Sequence, residues 1–198
     1  MRIGVLALQG AFIEHIKMFS ALNTEAIPVR LPSELDGLDA LVIPGGESTS
    51  ISKLLYDYEL MAPIRKLAEK GLPLLGTCAG MILLAKKVDG LDFEPIGVLD
   101  IEVKRNAYGR QSDSFETELA MPVLGNEPFH GIFIRAPMVE RANSDVEILC
   151  QQDGRAVAVK QGKIVACSFH PELTDDPRFH RYFLSLITGG VIAKNSCR

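Results

Sequence analysis

The segment Leu74-Leu75-Gly76-Thr77-Cys78-Ala79-Gly80 constrains this chain most, because it sends a buried strand abruptly into a helix with a cysteine at the turn. The apolar run 73–75 reads as strand, and residues 79–87 have helical spacing and good helix formers. Glycines at 76 and 80 allow a tight bend that leaves the Cys78 thiol exposed at the tip, as in a nucleophile elbow with sulfur replacing oxygen. The start of the helix favours a thiolate and places the Ala79 N–H to receive a developing oxyanion. Taken alone, the cysteine could equally be a small core residue.

Suitable partners lie far downstream in Ser168-Phe169-His170-Pro171-Glu172, after the strand-like run 164–167. If Pro171 keeps this segment extended, His170 and Glu172 share a face, which suits a general base and the carboxylate that orients it. A second loop, Pro44-Gly45-Gly46-Glu47-Ser48, follows another strand. It lacks the lysine of a phosphate loop, and the chain has no Gly-x-Gly-x-x-Gly fingerprint. Two readings of this loop stand side by side: a tight turn capped by Ser48 or Thr49, or a second oxyanion donor from Gly46 opposite Ala79.

The N-terminal half alternates strands (2–8, 26–30, 40–43) with helices (11–22, 50–56, 61–70), which implies a mainly parallel sheet covered by helices on both faces. Ligands then gather at the carboxyl ends of the strands, where Cys78 and the 44–48 loop both fall. After residue 91 the texture changes to short strand-like runs at 97–103, 114–119, 131–134, 146–149, 156–159 and 164–167, read as hairpins packed on or extending the sheet. A helix near 179–187 closes the chain. The 198 residues, 47% hydrophobic, suffice for one domain over 1–190, with a flexible tail over 191–198. A formal net charge of -4 without a dense basic run argues against nucleic acid or an anionic membrane as partner.

No run reaches membrane-spanning length, and the start is too short for a signal peptide, so a cytoplasmic location is expected. The scattered cysteines at 78, 150, 167 and 197 fit a reducing compartment and suggest neither zinc nor disulfides. His15, His130 and His180 lack metal-ligand spacing and read as structural or solvent-facing.

Together these residues resemble the class I, triad-type glutamine amidotransferases, and within them the glutaminase subunits of pyridoxal 5'-phosphate synthase. The resemblance rests on Leu8-Gln9-Gly10 with Glu14-His15, on Pro44-Gly45-Gly46-Glu47-Ser48-Thr49, on Gly76-Thr77-Cys78-Ala79-Gly80, and on Ser168-Phe169-His170-Pro171-Glu172-Leu173-Thr174. Arg105-Asn106-Ala107-Tyr108-Gly109-Arg110-Gln111, Asp113-Ser114-Phe115-Glu116 and Phe133-Ile134-Arg135-Ala136-Pro137 point to the pyridoxal-phosphate branch.

The resemblance implies a three-layer, flavodoxin-like fold with added hairpins. It implies Cys78 as nucleophile, His170 as general base and acid, and Glu172 as its orienter. Gly46, Glu47, Ser48, Arg105, Ile134 and Arg135 would contact glutamine, and Gly46 and Ala79 would supply the oxyanion hole. The implied reaction, hydrolysis of glutamine to glutamate and ammonia, needs no cofactor or metal. The ammonia would pass to a synthase subunit in a hetero-oligomeric complex, with Gln9 and Gly10 as candidate partner-interface residues. Two other classes stay open: a related cysteine-elbow hydrolase or chaperone, and a non-catalytic module that only binds a partner.

Overall fold

A computed structural model describes residues 1–90, 94–105 and 114–189. The expectations for the 106–113 part of the arginine-rich motif, for Cys197 and for the 191–198 tail lie outside these residues. At the centre is a seven-stranded sheet in the order β10-β11-β12-β4-β3-β1-β2, built from β1 (Arg2–Leu6), β2 (Glu25–Val29), β3 (Ala40–Ile43), β4 (Leu74–Thr77), β10 (Glu147–Gln152), β11 (Arg155–Gln161) and β12 (Ile164–Cys167). The run from β12 to β2 is parallel, and β10 and β11 extend it as antiparallel strands.

Strand alternation divides the core between the two faces of this sheet. Leu41, Ile43 and Leu74 face α2 (Ser48–Asp57), α3 (Met61–Glu69) and α4 (Ala79–Leu84). Ala40, Val42 and Leu75 face α1 (Phe12–Ala21) and α5 (Arg178–Ile187). Because both faces are covered, β3 and β4 are buried at every residue, which explains the unbroken apolar sequence of β3 and of the first half of β4.

Two smaller sheets complete the fold. One joins β5 (Ala85–Asp89), β6 (Leu99–Lys104) and β9 (Met138–Ala142); the other pairs β7 (Ser114–Leu119) with β8 (Phe129–Ile134). The expected helix over 79–87 is therefore shorter than its sequence pattern suggests. It ends at Leu84, and the chain continues as β5, whose pairing with β6 from Ala85 to Asp89 overrides helix propensity.

Why α4 can start where it does is a matter of clearance. A Cβ placed on Gly80 would stand 1.9 Å from the Ile43 carbonyl oxygen, so only glycine lets the first turn of α4 lie against the end of β3.

Candidate active site

Cys78 occupies the junction of β4 and α4 with φ 49° and ψ -104°, a conformation that side-chain-bearing residues rarely adopt. Its N–H donates to the Cys167 carbonyl at 2.8 Å, anchoring the strained residue to the next strand. The expected exposed thiol is instead nearly buried, with the residue 6% accessible, because β8 closes over it and brings the Ile134 carbonyl oxygen to 3.7 Å from Sγ.

His170 follows β12 by three residues. Its N–H donates to the Ile132 carbonyl at 2.8 Å, and the preceding Phe169 ring packs among Phe129, Phe133 and Phe179. Backbone and aromatic core together set the ring's position. The segment is not extended as expected: Pro171 opens a 3-10 turn over Pro171–Leu173, a position in which its fixed φ and missing N–H are favourable. This turn folds Glu172 back so that its Oε1 lies 2.7 Å from His170 Nδ1. The other ring nitrogen is left for Cys78, whose side chain lies beside the ring on the same cavity wall.

The electrostatics follow from this enclosure. Burial opposes a charge on His170, but its interactions with Cys78 and Glu172 outweigh it and push its pKa up to about 10. Burial likewise opposes ionisation of Glu172, yet the flanking His15 and His170 hold its carboxyl below the usual range. At neutral pH the proton thus sits on the imidazole, and the carboxylate behind it is ionised.

The 44–47 loop closes over the pair with almost no clearance. A Cβ on Gly45 would come within 2.3 Å of His170 Cε1 and 3.2 Å of Cys78 Cβ. Three hydrogen bonds fix the loop. The Gly45 N–H donates to Thr77 Oγ1 at 3.1 Å, the Gly45 carbonyl accepts from the Ala11 N–H at 3.0 Å, and the Glu47 N–H donates to Gln9 Oε1 at 2.8 Å. Since the Gly45 carbonyl points at Ala11, the Gly46 N–H of the same planar peptide points the opposite way.

Glu47, not Ser48 or Thr49, caps α2. Its carboxylate accepts from the N–H groups of Thr49 and Ser50 at 3.1 and 2.7 Å. Glutamate wins because both of its oxygens reach the free N–H groups at the positive end of the helix. Desolvation works against this charge, but the bonds from Ser50 and Thr49 lower its pKa to about 2.

A cavity of about 300 Å³ opens above Cys78, within the size range of small-molecule sites. Its lining brings together Gln9, Gly46, Glu47, Ser48, Cys78, Ala79, Ile82, Arg105, Ile134, Arg135 and His170. Arg105 Nη2 lies 3.6 Å from Glu47 Oε1 and 3.4 Å from Thr49 Oγ1 at the rim. Among the expected site residues Gly10 and Glu172 stand outside the lining, Gly10 one residue beyond Gln9 and Glu172 buried behind His170. No group of histidine, cysteine, aspartate and glutamate suited to a metal ion occurs among the described residues.

Sequence reasoning reads His15 and His180 only as structural or solvent-facing and assigns no role to Thr77; all three are fully buried behind Glu172. A signal for His15 exists in the helical spacing of Phe12, His15 and Phe19, which puts a polar ring on the apolar stripe of α1. His130 is different. It is exposed between Glu116 and Glu118 on the β7–β8 hairpin, and hydrogen bonds to both carboxylates, Glu118 foremost, raise its pKa.

Among the described residues no helix is long and apolar enough to cross a membrane. Comparison with known proteins agrees with this architecture. The chain is 52% identical over 187 residues to the pyridoxal 5'-phosphate synthase subunit PdxT of Moorella thermoacetica, covering 94% of this chain and 100% of that protein. It is 54% identical over 190 residues to the protein of the same name from Herpetosiphon aurantiacus, again covering 94% and 100%. A crystal structure of a glutamine amidotransferase superposes with a TM-score of 0.90 at 51% identity, covering 94% of this chain and 98% of that one. A Thermotoga maritima glutamine amidotransferase shares the fold alone, with a TM-score of 0.63 at 16% identity and coverage of 97% and 86%. Residues 5–188 match the model of one family across nearly all of the core, so the chain belongs to the SNO glutamine amidotransferase family.

Proposed function

We propose that this protein hydrolyses L-glutamine to L-glutamate and ammonia through a γ-glutamyl thioester on Cys78, and supplies the ammonia as the glutaminase subunit of a pyridoxal 5'-phosphate synthase. The observation that carries this reading is the pairing of Cys78 and His170 on the floor of an amino-acid-sized cavity, with Glu172 hydrogen-bonded behind the imidazole. Family membership and near-full-length identity to the PdxT proteins support the assignment to that complex.

The Cys78 sulfur, whose proton is the one His170 holds, attacks the side-chain amide carbon of glutamine, and the charge that develops on oxygen is met by main-chain N–H groups of Gly46 and Ala79. His170, protonated at rest, gives its proton to the leaving nitrogen, and ammonia departs. Neutral His170 then takes a proton from water as that water attacks the thioester, releasing glutamate and restoring the cysteine. Glu172 keeps Nδ1 occupied throughout, so the ring's other nitrogen stays directed at sulfur. Arg105 at the rim is suited to the substrate's free carboxylate, for which its planar fork offers paired hydrogen bonds, while Glu47, Ser48, Ile134 and Arg135 complete the pocket wall. Pyridoxal phosphate is the product of the complex, not a cofactor of this chain.

Partner docking near Gln9 and Gly10 would regulate the site, because Gln9 holds the Glu47 N–H directly after Gly46. The decisive experiment measures glutamate release from glutamine with and without the synthase subunit, for the wild type and for Cys78→Ala. The wild type should turn over and the variant should not, while keeping its fold and its glutamine binding. Wild-type rates in Cys78→Ala would overturn the thioester route.

A further inference from the structure

Behind the carboxylate of Glu172 lies a buried chain of polar groups that the proposed reaction does not use. His180 Nε2 is 2.9 Å from His15 Nδ1, and His15 Nε2 is 3.1 Å from Thr77 Oγ1 and 3.4 Å from Glu172 Oε2. His15, Thr77 and His180 are wholly inaccessible, as is the Glu172 side chain. Thr77 Oγ1 also accepts the Gly45 N–H, so the chain touches both halves of the site: the carboxylate that orients His170, and the loop that carries Gly46.

We propose that His15 is a positioning residue, held by His180 as the tautomer protonated at Nε2, whose one N–H is shared between Thr77 and the inner oxygen of Glu172. This proposal rests on the reading that His170 and Glu172 perform the proton transfers of glutamine hydrolysis.

Counting hydrogens decides the tautomer. Burial lowers the pKa of His15 despite the opposing pull of Glu172, with His170 adding to the lowering and Glu14 resisting it. Burial, with His15 beside it, depresses His180 further still. Both rings are therefore neutral, each with one N–H, and their contact holds a single hydrogen.

Suppose that hydrogen sat on His15 Nδ1. His15 Nε2 would then turn a lone pair toward Glu172 Oε2, an anionic oxygen with no hydrogen-bond partner among the described residues. In the reverse arrangement His180 Nε2–H donates to His15 Nδ1, and His15 Nε2–H faces Thr77 Oγ1 and Glu172 Oε2 together. The groups left unmatched are then His180 Nδ1, a neutral acceptor, and the hydroxyl hydrogen of Thr77, which together cost less than an unmatched buried carboxylate oxygen facing a lone pair beside an unmatched His180 Nδ1–H. Thr77 Oγ1 can accept from both His15 and Gly45, because a hydroxyl has two lone pairs. The result is a rigid strut from α5 through α1 to Glu172.

Nitrogen NMR of the full-length protein labelled at its four histidines tests this without reference to activity. Long-range nitrogen–proton correlations at neutral pH should show His15 and His180 both protonated at Nε2 and bare at Nδ1, with assignments taken from His15→Phe and His180→Phe. A His15 protonated at Nδ1, or at both nitrogens, overturns the proposal.

Kinetics of the complex with the synthase subunit then separate positioning from packing. His15→Gln keeps an amide N–H near the Nε2 position, whereas His15→Asn places its amide near Nδ1 and His15→Phe keeps only the ring. We expect kcat to fall about tenfold or more for Phe and Asn with KM changed less than about twofold, and Gln to recover most of the loss. Equal losses in all three would assign His15 a packing role and refute the proposal. If a variant does not fold, the wild-type tautomer decides. If wild-type protein releases no glutamate at all, the reading of the site has failed while the tautomer measurement still stands.

Discussion

At the scale of single residues, the site depends on clearance as much as on chemistry. The imidazole, the cysteine and the 44–47 loop are packed so closely that Gly45 has no room for a methyl group: its Cβ would lie 2.9 Å from His170 Nδ1 as well as 2.3 Å from Cε1. Gly45→Ala should therefore push the ring off its line to Cys78 and Glu172 without removing any reacting group. We expect at least a hundredfold loss of glutamine hydrolysis and a loss of stability of about 1–3 kcal/mol, as in other overpacked sites, read from glutamate release and urea unfolding. Wild-type activity in that variant would show that the loop yields. How legible was the site at this scale? The residue types and spacing of Cys78, His170 and Glu172 mark them out, because elbow chemistry is written in local sequence. The His15–Thr77–His180 cluster is not, because its members lie 62 and 165 residues from His15 and only tertiary packing unites them.

At the scale of elements, helix α2 shows how one side chain can serve both folding and the pocket. Its cap, Glu47, is ionised down to about pH 2 because main-chain and hydroxyl donors hold the charge. A carboxyl with a depressed folded pKa adds stability above its unfolded value, near 4.5, and that contribution disappears as pH falls through about 2. Glu47→Ala should cost about 1 kcal/mol of unfolding free energy at pH 7, in line with the loss of a helix cap. The gap between the two proteins should narrow below pH 4.5 and close near pH 2 in denaturant titrations; a gap independent of pH would deny the charge its role.

The sequence is readable here only in part. Strands β3, β7 and β12 fall on the expected residues, because their apolar or alternating runs have sharp ends. The end of α4 does not, since nothing in residues 85–87 announces the partner strand β6 that captures them. The extended geometry expected around Pro171 fails for a related reason: proline is as well suited to the first turn of a 3-10 helix as to a strand end, and local context chose the former.

At the scale of the whole molecule, the parallel order of β12, β4, β3 and β1 brings four chain exits to one edge, and each exit supplies a part of the site: His170, Cys78, the 44–47 loop and Gln9. An event at the β1 exit can therefore reach the Gly46 peptide through two bonds, Gln9 to the Glu47 N–H and the Ala11 N–H to the Gly45 carbonyl. On the proposed role of the synthase subunit, Gln9→Ala should lower partner-stimulated glutaminase activity far more than the basal rate. Equal proportional losses, measured with complex formation confirmed, would remove Gln9 from the gating route. The left-handed backbone at Cys78 has a thermodynamic corollary. Such a conformation costs about 1–3 kcal/mol for any residue with a side chain, and glycine avoids most of that cost while giving up under about 1 kcal/mol to a more flexible unfolded chain. Cys78→Gly should then melt a few degrees higher than both the wild type and Cys78→Ala, about 2–4 °C per kcal/mol for a chain of this length, while losing all turnover. A protein that becomes sturdier when its reactive atom is deleted carries selection for activity at the expense of robustness in its backbone angles, and calorimetry of these two variants would measure that trade-off directly.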